Sequence, residues 1–259
     1  MTLDLPTIIA LIGAGCLAGV MNSIAGGGTL VTFPTLIFAG LPSIPANATS
    51  TVALLPASLS SAAAYRARIR AVVRWLRFFA PVSLLGGLLG GILLVRTPSH
   101  TFDRLVPFLI LFATILFMAQ AWVSRFLGTT ATKGEKRSRG WIAGGVIFQF
   151  LVAVYGGYFG AGIGILMLAS LGMMGFDDVH EMNALKVILG FLINIVAACY
   201  FILSGLIYWP SAGIMACGTI LGGYSGAHFA QRVPQTTVRF LITVIGFAIS
   251  AIMFYRQFS

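Results

Sequence analysis

Apolar residues run along this chain in eight long blocks separated by short polar or basic stretches. The blocks are Leu5–Gly40, Ala46–Tyr65, Phe78–Val95, Leu105–Val123, Trp141–Met174, Met182–Ile207, Ser211–Ala230 and Val238–Phe254. Runs of this length predict helices able to cross a bilayer, whose hydrocarbon core of about 30 Å takes about 20 helical residues. Two blocks are too long for one crossing. Leu5–Gly40 would reach about 54 Å and Trp141–Met174 about 51 Å at 1.5 Å per residue. Each is interrupted by glycines, Gly26-Gly27-Gly28 in the first and Gly160-Ala161-Gly162 in the second. Consecutive glycines disfavour helix. Non-helical backbone at membrane depth survives only where protein buries it or where it lines a polar cavity. Each long block therefore predicts a re-entrant hairpin of two short arms that breaks at the glycines, with three full spans following.

The two halves resemble each other. At an offset of 136, Asn47-Ala48 meets Asn183-Ala184, Gly86-Gly87 and Gly90 meet Gly222-Gly223 and Gly226, and Arg96 and Pro98 meet Arg232 and Pro234. At an offset of 134, Gly26-Gly27-Gly28 meets Gly160-Ala161-Gly162. This collinear set predicts an internal duplication. A hairpin plus three spans is an odd number of crossings, so the second half is inverted relative to the first. The expected fold is an all-α polytopic membrane protein of two inverted repeats, each an interrupted, re-entrant hairpin-like helix plus three transmembrane helices. Residues 1–128 form the first repeat, 129–140 a basic cytoplasmic linker and 141–259 the second repeat.

Charge sharpens this picture. The chain of 259 residues is 58% hydrophobic and 8% charged, with a mean hydropathy of +0.98, far from the quarter of charged residues usual in soluble domains. The net charge of +10 could suggest nucleic acid. However, Arg66, Arg68, Arg70, Arg74 and Arg77, and then Arg125, Lys133, Lys136, Arg137 and Arg139, occupy two short stretches between apolar blocks. That is the pattern of cytoplasmic loops. The counterpart of the first basic loop, Ser204–Pro210, is uncharged and is expected outside, as inversion requires. Arg256 then also falls outside, against the trend. Asp4 and the lack of a basic leading segment predict no cleavable signal peptide. Cys16, Cys199 and Cys217 lie within apolar blocks without metal-ligand spacing, as packing or lipid-facing residues.

Interrupted helices in inverted repeats point to a transporter whose substrate site lies where the breaks face each other. Short helices beginning after Gly28 and Gly162 would offer backbone N–H groups and positive dipole ends to an anion. The competing reading is that the glycines only permit close helix packing, which is the better account of Gly86–Gly91 and Gly222–Gly226. Asn22, Ser23 and Thr29 flank the first break, and Tyr158 the second. Asn47, Thr49, Ser50 and Thr51 begin the next span, where Asn47, like Asn183, either contacts ligand or caps its helix. Lys186 stands in an apolar span, where an ammonium is costly and usually functional. It is a counter-charge for an anion, a snorkelling residue, or a partner of Asp177, Asp178 or Glu181. Those acids and His180 are either a proton relay or a solvated loop. The candidate substrate-binding set is thus Asn22, Ser23, Gly26, Gly27, Gly28, Thr29, Asn47, Thr49, Ser50, Thr51, Tyr158, Gly160, Gly162, Asn183 and Lys186.

Ala18-Gly19-x-x-Asn22-Ser23-Ile24-Ala25-Gly26-Gly27-Gly28-Thr29, ending at Phe33-Pro34 and followed by Asn47-Ala48-Thr49-Ser50-Thr51, resembles the sulfite exporter TauE/SafE family over nearly the whole chain. The second-half motif is more degenerate, with Gly160-Ala161-Gly162 and Leu168 where the family often has three glycines and a later proline. The resemblance implies a multi-pass permease of the bacterial inner membrane for small sulfur-containing anions such as sulfite or organosulfonates. No cofactor is expected, and the partners are the anion and the lipid bilayer, with a homodimer left open. Walker, nucleophile-elbow and zinc-protease motifs are missing, so no enzyme is expected. The rival readings are an anion channel of the same architecture and, more weakly, a cation permease, which would need carboxylate, Cys or His near the breaks.

Overall fold

The computed structural model describes residues 3–24, 27–64, 69–130, 139–174, 176, 178–229 and 235–258. Among these the chain forms ten helices and no strand: α1 (Leu5–Ile24), α2 (Thr29–Phe38), α3 (Ser43–Ala64), α4 (Ile69–Arg96), α5 (Ser99–Thr130), α6 (Arg139–Tyr158), α7 (Ile163–Met173), α8 (Val179–Leu203), α9 (Trp209–Phe229) and α10 (Gln235–Phe258). Four stretches among the described residues are long and apolar enough to cross a membrane: Leu5–Asn22, Val72–Arg96, Ser99–Ala119 and Glu181–Leu203. Large apolar side chains such as Leu85, Phe108, Ile147, Leu151 and Leu221 stand exposed on the outer faces. A soluble protein rarely tolerates so much exposed apolar surface, but a bilayer requires it. Cys199 and Cys217 share that exposure, and all three cysteines are free.

The arms of each hairpin are unequal, which corrects the expectation of two short arms. α1 and α6 have 20 residues each, about 30 Å, whereas α2 has 10 and α7 has 11. The reason is the position of the breaks. Both long blocks are apolar and helix-compatible until the glycines, which come late, so the first arm alone reaches the hydrocarbon thickness. After the first break the chain folds back, and Gly28 packs against Ala18 and Leu54. α5 continues to Thr130 and α6 begins at Arg139; the residues between, within the expected basic linker, lie outside the described ones. At the start of α1, Asp4 Oδ1 accepts the Thr7 N–H at 3.3 Å. Hydrogen bonds from the side chain and backbone of Thr7 hold the Asp4 carboxyl below its ordinary range.

Glycine seams fix how the helices run. A Cβ on Gly15 would meet the Met215 carbonyl, on Gly19 the Thr219 carbonyl and on Gly222 the Cys16 carbonyl. α1 and α9 therefore run in the same direction with their backbones touching. α4 and α6 do the same, since Gly86 lies against Phe150 and Ala153, Gly90 against Val154, and Gly157 against Gly87. α3 also runs with α9: the Tyr208 N–H donates to Thr49 Oγ1 at 3.1 Å, and Thr219 Oγ1 donates to the Ala53 carbonyl at 2.8 Å. α8 runs with α4, as Gly87 faces Ile193 and Val196 while Gly91 faces Ala197 and Phe201. Between α8 and α9 the chain reverses at Gly205, which has φ +69°. Thus α1, α3 and α9 point one way and α4, α6 and α8 the other. α5 and α10 pair antiparallel, with Ser250 Oγ donating to the Pro107 carbonyl and Gly246 lying against Thr114.

Candidate functional site

Each break has its own local support. At the second, the N–H groups of Phe159 and Gly160 both donate to the Tyr155 carbonyl, and Tyr155 Oη donates to the Ala161 carbonyl at 2.8 Å. Gly160 and Gly162 adopt φ +82° and +78°, a region that costs residues with a Cβ about 1–2 kcal/mol. At the first, Gly27 has φ +96°, and the Gly28 N–H donates to Asn22 Oδ1 at 3.2 Å. Neither α2 nor α7 has a side-chain cap at its start. A Gly27→Ala variant should lose about 2 kcal/mol or more, because φ is unfavourable and the new Cβ would overlap the Phe117 ring. Thermal melting of the purified variant checks this.

The two breaks meet. A Cβ on Gly160 would lie 3.9 Å from Thr29 Oγ1, and both residues line a single cavity of about 80 Å³. At roughly 10–15 Å³ per enclosed water, that suits a small hydrated ion and not a nucleotide. Asn22, Gly27, Thr29, Gly160 and Lys186 of the sequence-derived set line it. So do Ser58 and Ser61 of α3, Asn194 of α8 and an apolar side made by Leu54, Ile163, Met167 and Phe191. Among the described lining residues Lys186 carries the only charge, and no carboxylate, His or Cys is present. Lys186 forms no ion pair or hydrogen bond with the described residues, so the pairing with Asp178 or Glu181 is not realised; Asp177 lies outside them.

The other expected residues are placed elsewhere. Gly28 and Gly162 stand behind the break and cap the short helices. Ser50 Oγ lies 2.6 Å from Thr32 Oγ1, and Thr51 Oγ1 donates to the Asn47 carbonyl. Thr49 serves α9, as described above. Asn47 is buried, and its Nδ2 donates to the Tyr158 carbonyl at 2.9 Å, so these two residues contact each other across the halves of the chain. Asn183 lies on α8 one turn before Lys186, outside the lining. Gly26 and the Ser23 side chain fall outside the described residues. Ser58, Ser61 and Asn194 were missed, although the offset of 136 pairs Ser58 with Asn194 and Ser50 with Lys186.

Residues 11–253 match the family described as sulfite exporter TauE/SafE. A probable membrane transporter protein of Haemophilus influenzae is 29% identical over 259 residues, covering 99% of this chain and 98% of the relative. The probable membrane transporter protein ORF9 of a Sinorhizobium species is 26% identical, covering 92% and 88%. The probable membrane transporter protein YfcA of Escherichia coli K12 is 26% identical, covering 92% and 86%. No solved structure matches the chain.

Proposed function

The chain belongs to the sulfite exporter TauE/SafE family, and on that premise we propose that it is a secondary transporter moving a small sulfur-containing oxyanion across the bacterial inner membrane. The observation that carries this reading is a cavity in which both helix breaks meet Lys186, the one charged side chain among its described lining residues. Backbone N–H groups in the first turn of α7 and the amides of Asn22 and Asn194 supply neutral donors. Thr29, Ser58 and Ser61 add hydroxyls, and Lys186 balances the charge. An ammonium kept in an apolar bundle without a protein partner is costly, and an anionic ligand removes that cost. The lack of carboxylates among the described lining residues speaks against a cation as cargo.

The two halves, residues 1–128 and 141–259, act as inverted repeats joined by a cytoplasmic basic linker. This is supported by the opposite directions of α1 and α6 and by reciprocal packing. α1 lies on α9 as α6 lies on α4, and α3 lies on α9 as α8 lies on α4. The ends of α1 and α3 and the start of α8 then face the cytoplasm with the basic segments. A cysteine placed at Ser204 should react with an impermeant maleimide only from the periplasmic side; reaction only from the cytoplasm would defeat this orientation.

Flux in liposomes tests the transport reading. Uptake of labelled sulfite should saturate and should be accelerated by sulfite on the opposite side. A flux that rises linearly with concentration and shows no counterflow would instead identify an anion channel.

A further inference from the structure

We propose that Tyr158, held by Asn47 and Thr97, latches the periplasmic gate of this transporter, with Phe33, Phe102 and Phe159 as the plug behind it. This rests on the transporter reading given above. The cavity reaches Ser61, close to the end of α3 at Ala64, and includes Asn22 near the end of α1 and Lys186 in the second turn of α8. Because α1 and α3 run against α8, these three places share one end of the bundle. In the other direction the lining reaches no further along α3, the second break and α8 than Leu54, Gly160 and Asn194.

Beyond these residues the interior is filled. Phe33 of α2 meets Phe159 edge-on at 5.3 Å between centroids and Phe102 of α5 at 6.4 Å. Phe102 in turn meets the Tyr158 ring at 5.6 Å. All three phenylalanines are buried, together with Leu94 and Phe201. Past them lies the exposed turn around Pro98, Ser99 and His100. The rings therefore separate the cavity from water on the α4–α5 side. Such pairs add about 0.5–1.5 kcal/mol each beyond area burial.

Tyr158 ties this plug together. Its carbonyl accepts from Asn47 Nδ2 at 2.9 Å, and its hydroxyl lies 3.3 Å from Thr97 Oγ1. Asn47 starts α3, Thr97 follows α4 and Tyr158 ends α6, so the hydrogen bonds join the two halves of the chain at the second break. Opening this side requires the break to leave α3. The latch is also built to release. Asn47 Oδ1 is buried without a hydrogen-bond partner among the described residues, and an unpaired buried acceptor opposes the closed arrangement. At the offset of 134, Phe33 corresponds to Met167, Tyr158 to Ile24 and Phe159 to Ala25, so this set of rings is not repeated in the sequence of the other half. Closure on the periplasmic side is the resting arrangement.

The test is access to a cysteine inside the cavity. Ser58→Cys in the full-length protein is reacted with a membrane-impermeant maleimide in right-side-out and inside-out vesicles, with the native cysteines alone setting the background. With the latch intact, labelling is expected from the cytoplasmic side only. In Tyr158→Phe combined with Thr97→Val, labelling from the periplasmic side should rise roughly threefold to tenfold, the shift expected on losing one hydrogen bond. Phe33→Leu, which keeps an apolar side chain but loses the ring contacts, should act the same way and carries the test if the first variant does not reach the membrane. Periplasmic labelling that stays at background in a variant still labelled from the cytoplasm would overturn the latch. So would equal labelling from both sides with the latch intact. Labelling needs no substrate, so absence of sulfite binding with this access pattern would sink the proposed cargo and leave the latch standing.

Discussion

Lys186→Met lowers affinity for sulfite by at least about 30-fold and leaves the protein folded. Removing one partner of a buried charge pair costs about 2–5 kcal/mol, and each 1.4 kcal/mol is tenfold in affinity. Lys186 is the only charge among the described lining residues, so nothing nearby replaces it. Stability should move the opposite way. In the empty protein the ammonium has no partner among the described residues of an apolar bundle, and an apolar side chain of similar size relieves that cost. Thermal unfolding of Lys186→Met should therefore occur at the same temperature as wild type or higher. Titration calorimetry and a melting curve on the same preparation check both signs. A snorkelling lysine would give neither effect, since its charge would already be solvated.

Gly157→Ala and Gly222→Ala should each cost about 3 kcal/mol or more, enough to lower the melting temperature by several degrees in a chain of this size. The new Cβ on Gly157 would overlap the Gly87 carbonyl, and that on Gly222 the Cys16 carbonyl. Both obstacles are backbone, so relief requires moving a whole helix, α4 from α6 or α1 from α9. Gly213→Ala is the contrasting case, because nothing lies within 4 Å of its Cβ position. There the gain in helix propensity of about 0.5–1 kcal/mol is unopposed. Glycine content alone does not distinguish these sites. Direct contact between parallel backbones does, and membrane helices rely on such contact because lipid offers no hydrophobic drive for association.

The eight apolar blocks and both interruptions were legible in the sequence because they follow from hydropathy and from glycine. Helix ends were less so. α4 begins at Ile69 and not near Phe78, since Arg74 and Arg77 are good helix formers and long stems can keep charge at an interface. The unequal hairpin arms were missed because block length does not reveal where along it the chain turns. In the site, Asn22, Gly27, Thr29, Gly160 and Lys186 come together around one cavity, as nearness to the breaks suggested. Thr49, Ser50 and Thr51 lie outside that lining. Successive helical residues point about 100° apart, and these hydroxyls meet Tyr208, Thr32 and the Asn47 carbonyl instead. Ser58 and Asn194 lie two to three turns further along α3 and α8, far from any break in sequence. The repeat offset, extended past Asn47 and Asn183, pairs them directly.

The most direct measurement is an experimental structure of the protein in complex with selenite, a heavier analogue of sulfite whose position can be located by anomalous scattering. The account predicts the anion between Thr29 and Gly160, within hydrogen-bond distance of Lys186 Nζ, with both glycine breaks non-helical. Selenite bound elsewhere, with Lys186 turned to the membrane interface, would contradict it.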